Sequence, residues 1–352
     1  MTLNPQWRDG LPVFHPRRYC NNGHIQTIAG NFLPRPHHGL PPATQHLVEV
    51  SPARHSQIAS QVRCECHWQP VERRRESLTV LVLHGLEGSS RSQYVLGNAS
   101  KLWSAGCNII RMNMRNCGGT ERLTPTLYHS GLSNDVLAVM QHFLSTEDLT
   151  RFALIGYSMG GNLVLKMAGE LGQHTPEALT AVVGVSPAVD LGASADALHR
   201  PANRIYEWKF LNSLVNRYRR KAMLFPRAFD PMRANGVRSV RDFDERITAL
   251  YSGFQSANDY YDRAAAARVL DRIAVPTLIL HASDDPFIRF EAKTLALIEA
   301  NPNIDFLETA HGGHCAFLAE PQQQLGYDGY WAEHAAMRFL LAHQSFGSDR
   351  VS

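Results

Sequence analysis

The chain has 352 residues, 44% of them hydrophobic and 19% charged, the balance of a folded protein and not of a disordered or fibrous one. A formal charge of +3, with the basic residues spread along the chain, leaves no footprint for a nucleic-acid partner. Met1 to Gly10 is polar where a secretory signal would be apolar, and no run of about 18 apolar residues occurs, so a cytoplasmic protein with no transmembrane segment is expected.

Residues 1–45 are rich in Pro, Asn, Arg and His, with prolines at 5, 12, 16, 34, 36, 41 and 42, so regular elements are not expected to run far. The segment reads as an arm that braces the sheet edge, with packing beside the site through His24 and Gln26 as the alternative. Short strands follow at His46 to Val50 and Gln61 to Trp68, the second alternating Val62, Cys64, Cys66 and Trp68 with Arg63, Glu65 and His67. From Leu78 to Leu83 the pattern becomes a short all-apolar run, then a glycine-containing loop, then a helical stretch from Tyr94 to Ala105. The same unit recurs at Asn108 to Met112 with Leu132 to Leu144, at Phe152 to Ile155 with Leu163 to Leu171, and at Thr277 to Leu280 with Ala292 to Ala300. Buried parallel strands crossed by helices are the consequence. A further strand is expected at Ile304 to Leu307.

The alternation stops between 190 and 263, which reads as a helical lid inserted into one α/β domain made of residues 46–189 and 264–352. Within it Trp208, Leu211, Val215 and Tyr218 recur at helical spacing and predict a face packed on the main domain. Arg217, Arg219, Arg220 and Lys221 read as solvated charges on that helix; a peripheral membrane contact is the alternative and enters no functional expectation. The cysteines at 20, 64, 66, 107, 117 and 315 form neither a disulfide framework nor a metal knuckle, so reduced, mostly buried thiols are expected.

Chemistry concentrates at Gly156-Tyr157-Ser158-Met159-Gly160, between an apolar strand and a helical run. Small residues at 156 and 160 suit a nucleophile on a strained turn, where larger side chains would meet the neighbouring strand and helix. A serine hydroxyl needs a base, and among 17 histidines His314, in His311-Gly312-Gly313-His314 near the chain's end, lies where the order Ser, Asp, His places it. His311 is the second candidate. Asp285, 127 residues after Ser158 and 29 before His314, leaves a strand end and is the expected orienting acid. Asp284 competes for that role, or caps the following helix. The backbone amides of Met159 and of Leu86, in His84-Gly85-Leu86-Glu87-Gly88, are the expected oxyanion donors. His84 itself reads as a structural histidine. Convergence of His84, His281, Asp284, His311 and His314 on a metal is weighed and set aside, and neither metal nor cofactor is expected.

Taken together these segments resemble the AB-hydrolase-4 branch of the α/β hydrolases, which includes the YheT-like hydrolases. The resemblance extends through Gly23-His24-Ile25-Gln26-Thr27, Met114 to Thr120, Tyr128-His129-Ser130-Gly131, Phe243-Asp244, Asp259-Tyr260-Tyr261 and Asp284-Asp285-Pro286-Phe287. It implies the α/β-hydrolase fold, a mostly parallel central sheet flanked by helices with a helical lid, and hydrolysis of carboxylic esters by Ser158, Asp285 and His314. Short- to medium-chain acyl esters or acylglycerols, small-molecule or lipid, are the implied substrates. Some relatives carry a His and an Asp separated by four residues as an acyltransferase signature. His129 and Asp135 here enclose five, which argues against that role. Transfer of the acyl group to an alcohol is the alternative function, and a catalytically silent binding fold is a third. Arg115 and Asn116 read as a structural loop.

Overall fold

The computed structural model describes residues 3, 5–36, 39–53, 58–322 and 326–344, so positions 1, 2, 4, 37 and 38 of the expected arm and 54–57, 323–325 and 345–352 of the expected catalytic domain lie outside it. Its strands are β1 (Thr44–Ser51), β2 (Ser60–His67), β3 (Thr79–Leu83), β4 (Asn108–Asn113), β5 (Phe152–Tyr157), β6 (Leu179–Val185), β7 (Thr277–Ala282) and β8 (Ile304–Thr309). They form one sheet in the order β1-β2-β4-β3-β5-β6-β7-β8. β1, β2 and β4 pair antiparallel, and every pair from β4 to β8 is parallel.

The β3 sequence TVLVL shows why a continuous apolar run suits this place. Side chains alternate across a strand, and Leu81 and Leu83 enter one core while Val80 and Val82 enter the other. Both faces are therefore covered. The helices are α1 (Gly23–Phe32), α2 (Val71–Arg74), α3 (Gln93–Ser104), α4 (Ser133–Thr146), α5 (Met159–Leu171), α6 (Leu191–Leu198), α7 (Arg204–Leu224), α8 (Val240–Phe243), α9 (Ala249–Ser252), α10 (Ala257–Ala264), α11 (Ala292–Ala300) and α12 (Trp331–Ala342). A π-helical turn, Asp244–Thr248, joins α8 to α9. α4 and α5 cover one face of the sheet; α3 and α12 cover the other. Among the described residues no helix is long and apolar enough to cross a membrane. All six cysteines are unpaired, four of them buried.

Three elements depart from the sequence reading. β6, Leu179 to Val185, is wholly buried between β5 and β7 and is not located by the sequence reading. α12 was passed over as well. The arm holds a ten-residue helix, α1, because its prolines leave residues 23–32 free of any. Asn22 caps α1 by accepting from the amides of His24 and Ile25. The front of the arm reaches the edge strand, where Trp7 Nε1 donates to Asp305 of β8 at 2.9 Å. α1 packs beside the site instead of bracing the edge.

Candidate active site

Parallel strands place all their carboxyl ends on one side, so the loops after β3, β5, β6, β7 and β8 gather there. After β5 the chain turns at Ser158, whose φ of 54° and ψ of −118° lie outside the regions a side chain prefers. The strain has a visible cause. A Cβ on Gly156 would sit 2.2 Å from the Gly160 carbonyl oxygen, and one on Gly160 would sit 2.4 Å from that of His84, so only glycine fits on either side. Ser158 then starts α5, and its amide donates to the Val185 carbonyl at 2.9 Å.

After β7, Asp285 is almost wholly buried and accepts from His314 Nδ1 at 2.8 Å. Its other oxygen accepts from the amides of Phe287 and Ile288 at 3.0 and 2.9 Å. Burial alone would raise the carboxyl pKa, but the imidazole and the Ile288 amide outweigh it and hold it below the usual value, so the group is a carboxylate. For His314, burial works against the imidazolium while Cys315 and Asp285 beside it favour it, and the net direction is upward. With Nδ1 committed to Asp285, Nε2 is the working end; Cys315 Sγ lies 3.6 Å from it.

The neighbouring Asp284 turns to the same loop at other points, accepting from the Gly313 amide at 2.8 Å and meeting His311 Nδ1 at 3.2 Å. The turn-capping expected of Asp284 belongs to Asp285. Nucleophile and base share an anchor at the end of β6. Val185 O receives the Ser158 amide and faces Cys315 Sγ at 3.8 Å, while Ser186 Oγ receives the Cys315 amide at 3.2 Å. Cys315, Ser186 and Thr27, whose hydroxyl receives the His314 amide at 2.8 Å, have no site role in the sequence reading, because their partners lie far along the chain or depend on the turn of a loop.

Ser158, Met159 and Leu86 line one cavity, about 1040 Å³ of empty space with its open mouth included. Met159 opens α5, so its amide has no acceptor within the helix. Leu86 follows Gly85, where a Cβ would lie 3.1 Å from that of Ser158. His84 is buried with Nδ1 on the Gly85 carbonyl at 2.8 Å and Nε2 accepting from the Met114 amide at 3.1 Å, and burial pushes it down to about 4. It is neutral and structural. Among the described residues no group of three or more His, Cys, Asp or Glu side chains is placed to hold a metal.

The charges of α7 are not all solvated. Arg217 donates to both Glu87 oxygens at 2.9 and 3.0 Å, and Tyr128 and Ser213 donate to the same carboxylate. Lys221 is fully buried and donates to Asn116 Oδ1 and to the Glu121 and Thr124 carbonyls. Asn116 is thus a structural partner of α7. Arg115 holds Asp135 through two hydrogen bonds of 2.6 and 2.5 Å, so Asp135 is engaged away from His129. Of the expected inward face Tyr218 is buried and Leu211 and Val215 pack against the core, while Trp208 is 68% exposed; Glu207, Leu214, Lys221 and Ala222 complete the buried stripe of α7.

Residues 79–321 match the protein family described as alpha/beta hydrolase fold. Phospholipase ABHD3 of Mus musculus is 32% identical over 241 residues, which cover 68% of this chain and 58% of that protein, less than two thirds of its length. The YheT protein of Escherichia coli strain K12 is 33% identical over 243 residues, 68% of this chain and 70% of that protein. An esterase of Pyrococcus furiosus superposes with a TM-score of 0.54 over 86% of this chain and 91% of that one; at 15% identity the likeness is one of fold.

Proposed function

The chain belongs to the alpha/beta hydrolase family, in its YheT-like branch, and on that premise we propose that it hydrolyses carboxylic esters through an acyl-enzyme on Ser158. His314 Nε2 takes the hydroxyl proton as Ser158 attacks the ester carbonyl, and Asp285 fixes the imidazole's tautomer and favours the imidazolium that forms. The amides of Leu86 and Met159 receive the oxyanion, a contribution of about 10²- to 10³-fold in rate for a single donor. The imidazolium returns its proton to the departing alcohol. Water, deprotonated by the same base, then releases the acid. The observation that carries this reading is the 2.8 Å contact of His314 with a buried carboxylate, on a loop anchored to the same strand end as the strained Ser158.

The cavity supports an apolar acyl group as substrate. Leu127, Leu191, Leu198, Phe210, Leu214 and Phe243 line it, several of them from residues 190–263, which act as the lid. The phospholipase named among the relatives supports lipid esters as the class, and a cavity closed by side chains from α7 and α8 favours short to medium acyl chains over long ones.

Hydrolysis of p-nitrophenyl esters from acetyl to long acyl chains, with no metal added, tests the proposal. Turnover is expected to peak at medium chains and to fall to a small residue in Ser158→Ala and in His314→Ala. Full turnover by Ser158→Ala would overturn the acyl-enzyme.

A further inference from the structure

No step of the proposed hydrolysis uses Gly23-His24-Ile25-Gln26-Thr27, yet this first half of α1 lies against the loop that carries the base. That loop has no strand of its own, only a bond from the Phe317 amide to the Gly312 carbonyl and, at its far end, bonds from the Trp331 and Arg17 amides to the Phe317 and Leu318 carbonyls. Gly312, Gly313, Cys315 and Phe317 take φ values of 148°, 58°, 64° and 44°, and the two that are not glycine are strained in such conformations. A loop of this kind keeps its shape only if its surroundings impose it.

α1 supplies that constraint where the His314 backbone lies. The His314 amide donates to Thr27 Oγ1 at 2.8 Å, and the same hydroxyl donates onward to the Gly23 carbonyl at 2.6 Å. The Gln26 side chain is fully buried and pairs with both backbone groups of Leu318, accepting from its amide at 2.8 Å and donating to its carbonyl at 3.0 Å. The fit tolerates no side chain at the contact. A Cβ on Gly23 would lie 1.9 Å from the Asp284 carbonyl oxygen, and one on Gly313 would lie 2.4 Å from the Gly23 carbonyl oxygen. From the other side, His24 stacks on Tyr206 of α7, Tyr206 packs on Phe287, and Phe287 lies 4.3 Å from the His314 ring.

We propose that α1 is the mould of the base loop: Thr27 and Gln26 are positioning residues that hold the backbone of residues 312–318 so that the His314 ring meets Asp285 on one side and Ser158 on the other. The proposal rests on His314 being the base. Its effect belongs to turnover, because neither residue lines the cavity that would bind substrate.

The test compares wild type with Thr27→Val, Thr27→Ser, Gln26→Leu and His314→Ala on a p-nitrophenyl ester, with thermal melting to establish folding. Thr27→Val and Gln26→Leu are expected to lose about 10- to 100-fold in kcat, the scale of a reacting group misplaced by about 1 Å. KM should change little, and Thr27→Ser, which keeps the acceptor, should restore most of the loss. A fold-only role would instead lower melting and leave kcat per folded molecule unchanged. Thr27→Val at full kcat beside an inactive His314→Ala overturns the role of α1 alone; His314→Ala at full kcat overturns the base assignment itself. Hydrogen exchange on wild type gives a reading independent of the variants. The amides of His314 and Leu318 are expected to be protected like those within α1, and exchange at the rate of an open loop would overturn the proposal.

Discussion

Asp284 and Asp285 are adjacent carboxylates with separate tasks, and the difference is one of backbone direction at a strand end. Asp285 meets the imidazole and two amides, while Asp284 meets Gly313 and His311. The sequence favours Asp285 but leaves Asp284 in competition, since their separation needs the positions of loops about thirty residues away. Ser158 is readable because its motif, strand and helix are contiguous; Thr27, 287 residues from His314, is not. Asp285→Asn is expected to lower kcat by about 10³- to 10⁴-fold, the cost of a wrongly held tautomer. Asp284→Asn keeps an acceptor for Gly313 and should lose no more than one weakened hydrogen bond, about tenfold or less. Steady-state rates of the two variants on one ester decide it. The pH profile adds a sign: Asp285 raises the His314 pKa, so the residual activity of Asp285→Asn should have its acidic limb at lower pH than wild type.

The elements were legible where one rule governs them. Strands buried on both faces read as apolar runs, as β3, β5 and β7 did, and β6 carries the same signal in Ala181-Val182-Val183-Gly184-Val185. α7 was legible as a helix and in the inward face of Leu211, Val215 and Tyr218, but not in the charges Glu207, Arg217 and Lys221 that share that face. Such charges are invisible as core until their partners are known. Glu87, at φ 60° in the loop after Leu86, is the partner that fixes α7 over the site. Removing one member of this partly buried pair by Arg217→Met leaves Glu87 with its Tyr128 and Ser213 donors but without a counter-charge, and is expected to cost about 1–3 kcal/mol. Glu87→Gln combined with Arg217→Met should be markedly less destabilised than the two single effects added together. Urea denaturation of the three variants measures the coupling, and strict additivity would show that the pair does not hold the helix.

Across the whole molecule the alternation of strand and helix sufficed to give the parallel sheet and its gathered loops, whereas the docking of α1 needed contacts that span nearly the full chain. The same burial that builds the core fixes how the molecule responds to acid. Burial pushes His84 down to about 4 and His129 to about 3, with Arg115 adding to the second, so both are neutral in the fold and titrate near 6.5 once unfolded. Below pH 6.5 the unfolded chain therefore binds more protons, and stability falls as pH drops from 6.5 toward 4, by about 3 kcal/mol for each histidine. Asp244 acts in the opposite sense. Burial pushes it up to about 6, so the fold takes up a proton between pH 6 and 4 and regains about 3 kcal/mol, offsetting one histidine and not both. A net loss of a few kcal/mol by pH 4 is a large part of a typical stability of about 5–15 kcal/mol. Activity should fail earlier, because the base works as neutral imidazole and its pKa is raised above 6.5. On lowering the pH from 9, kcat/KM is thus expected to decline while the urea midpoint rises, since the fold takes up the His314 proton before the unfolded chain does, and the midpoint to fall only below about pH 6.5. His129→Gln should flatten that second decline and leave the first in place. If both declines coincide, the loss of activity is loss of fold, and the raised pKa of His314 does not govern turnover.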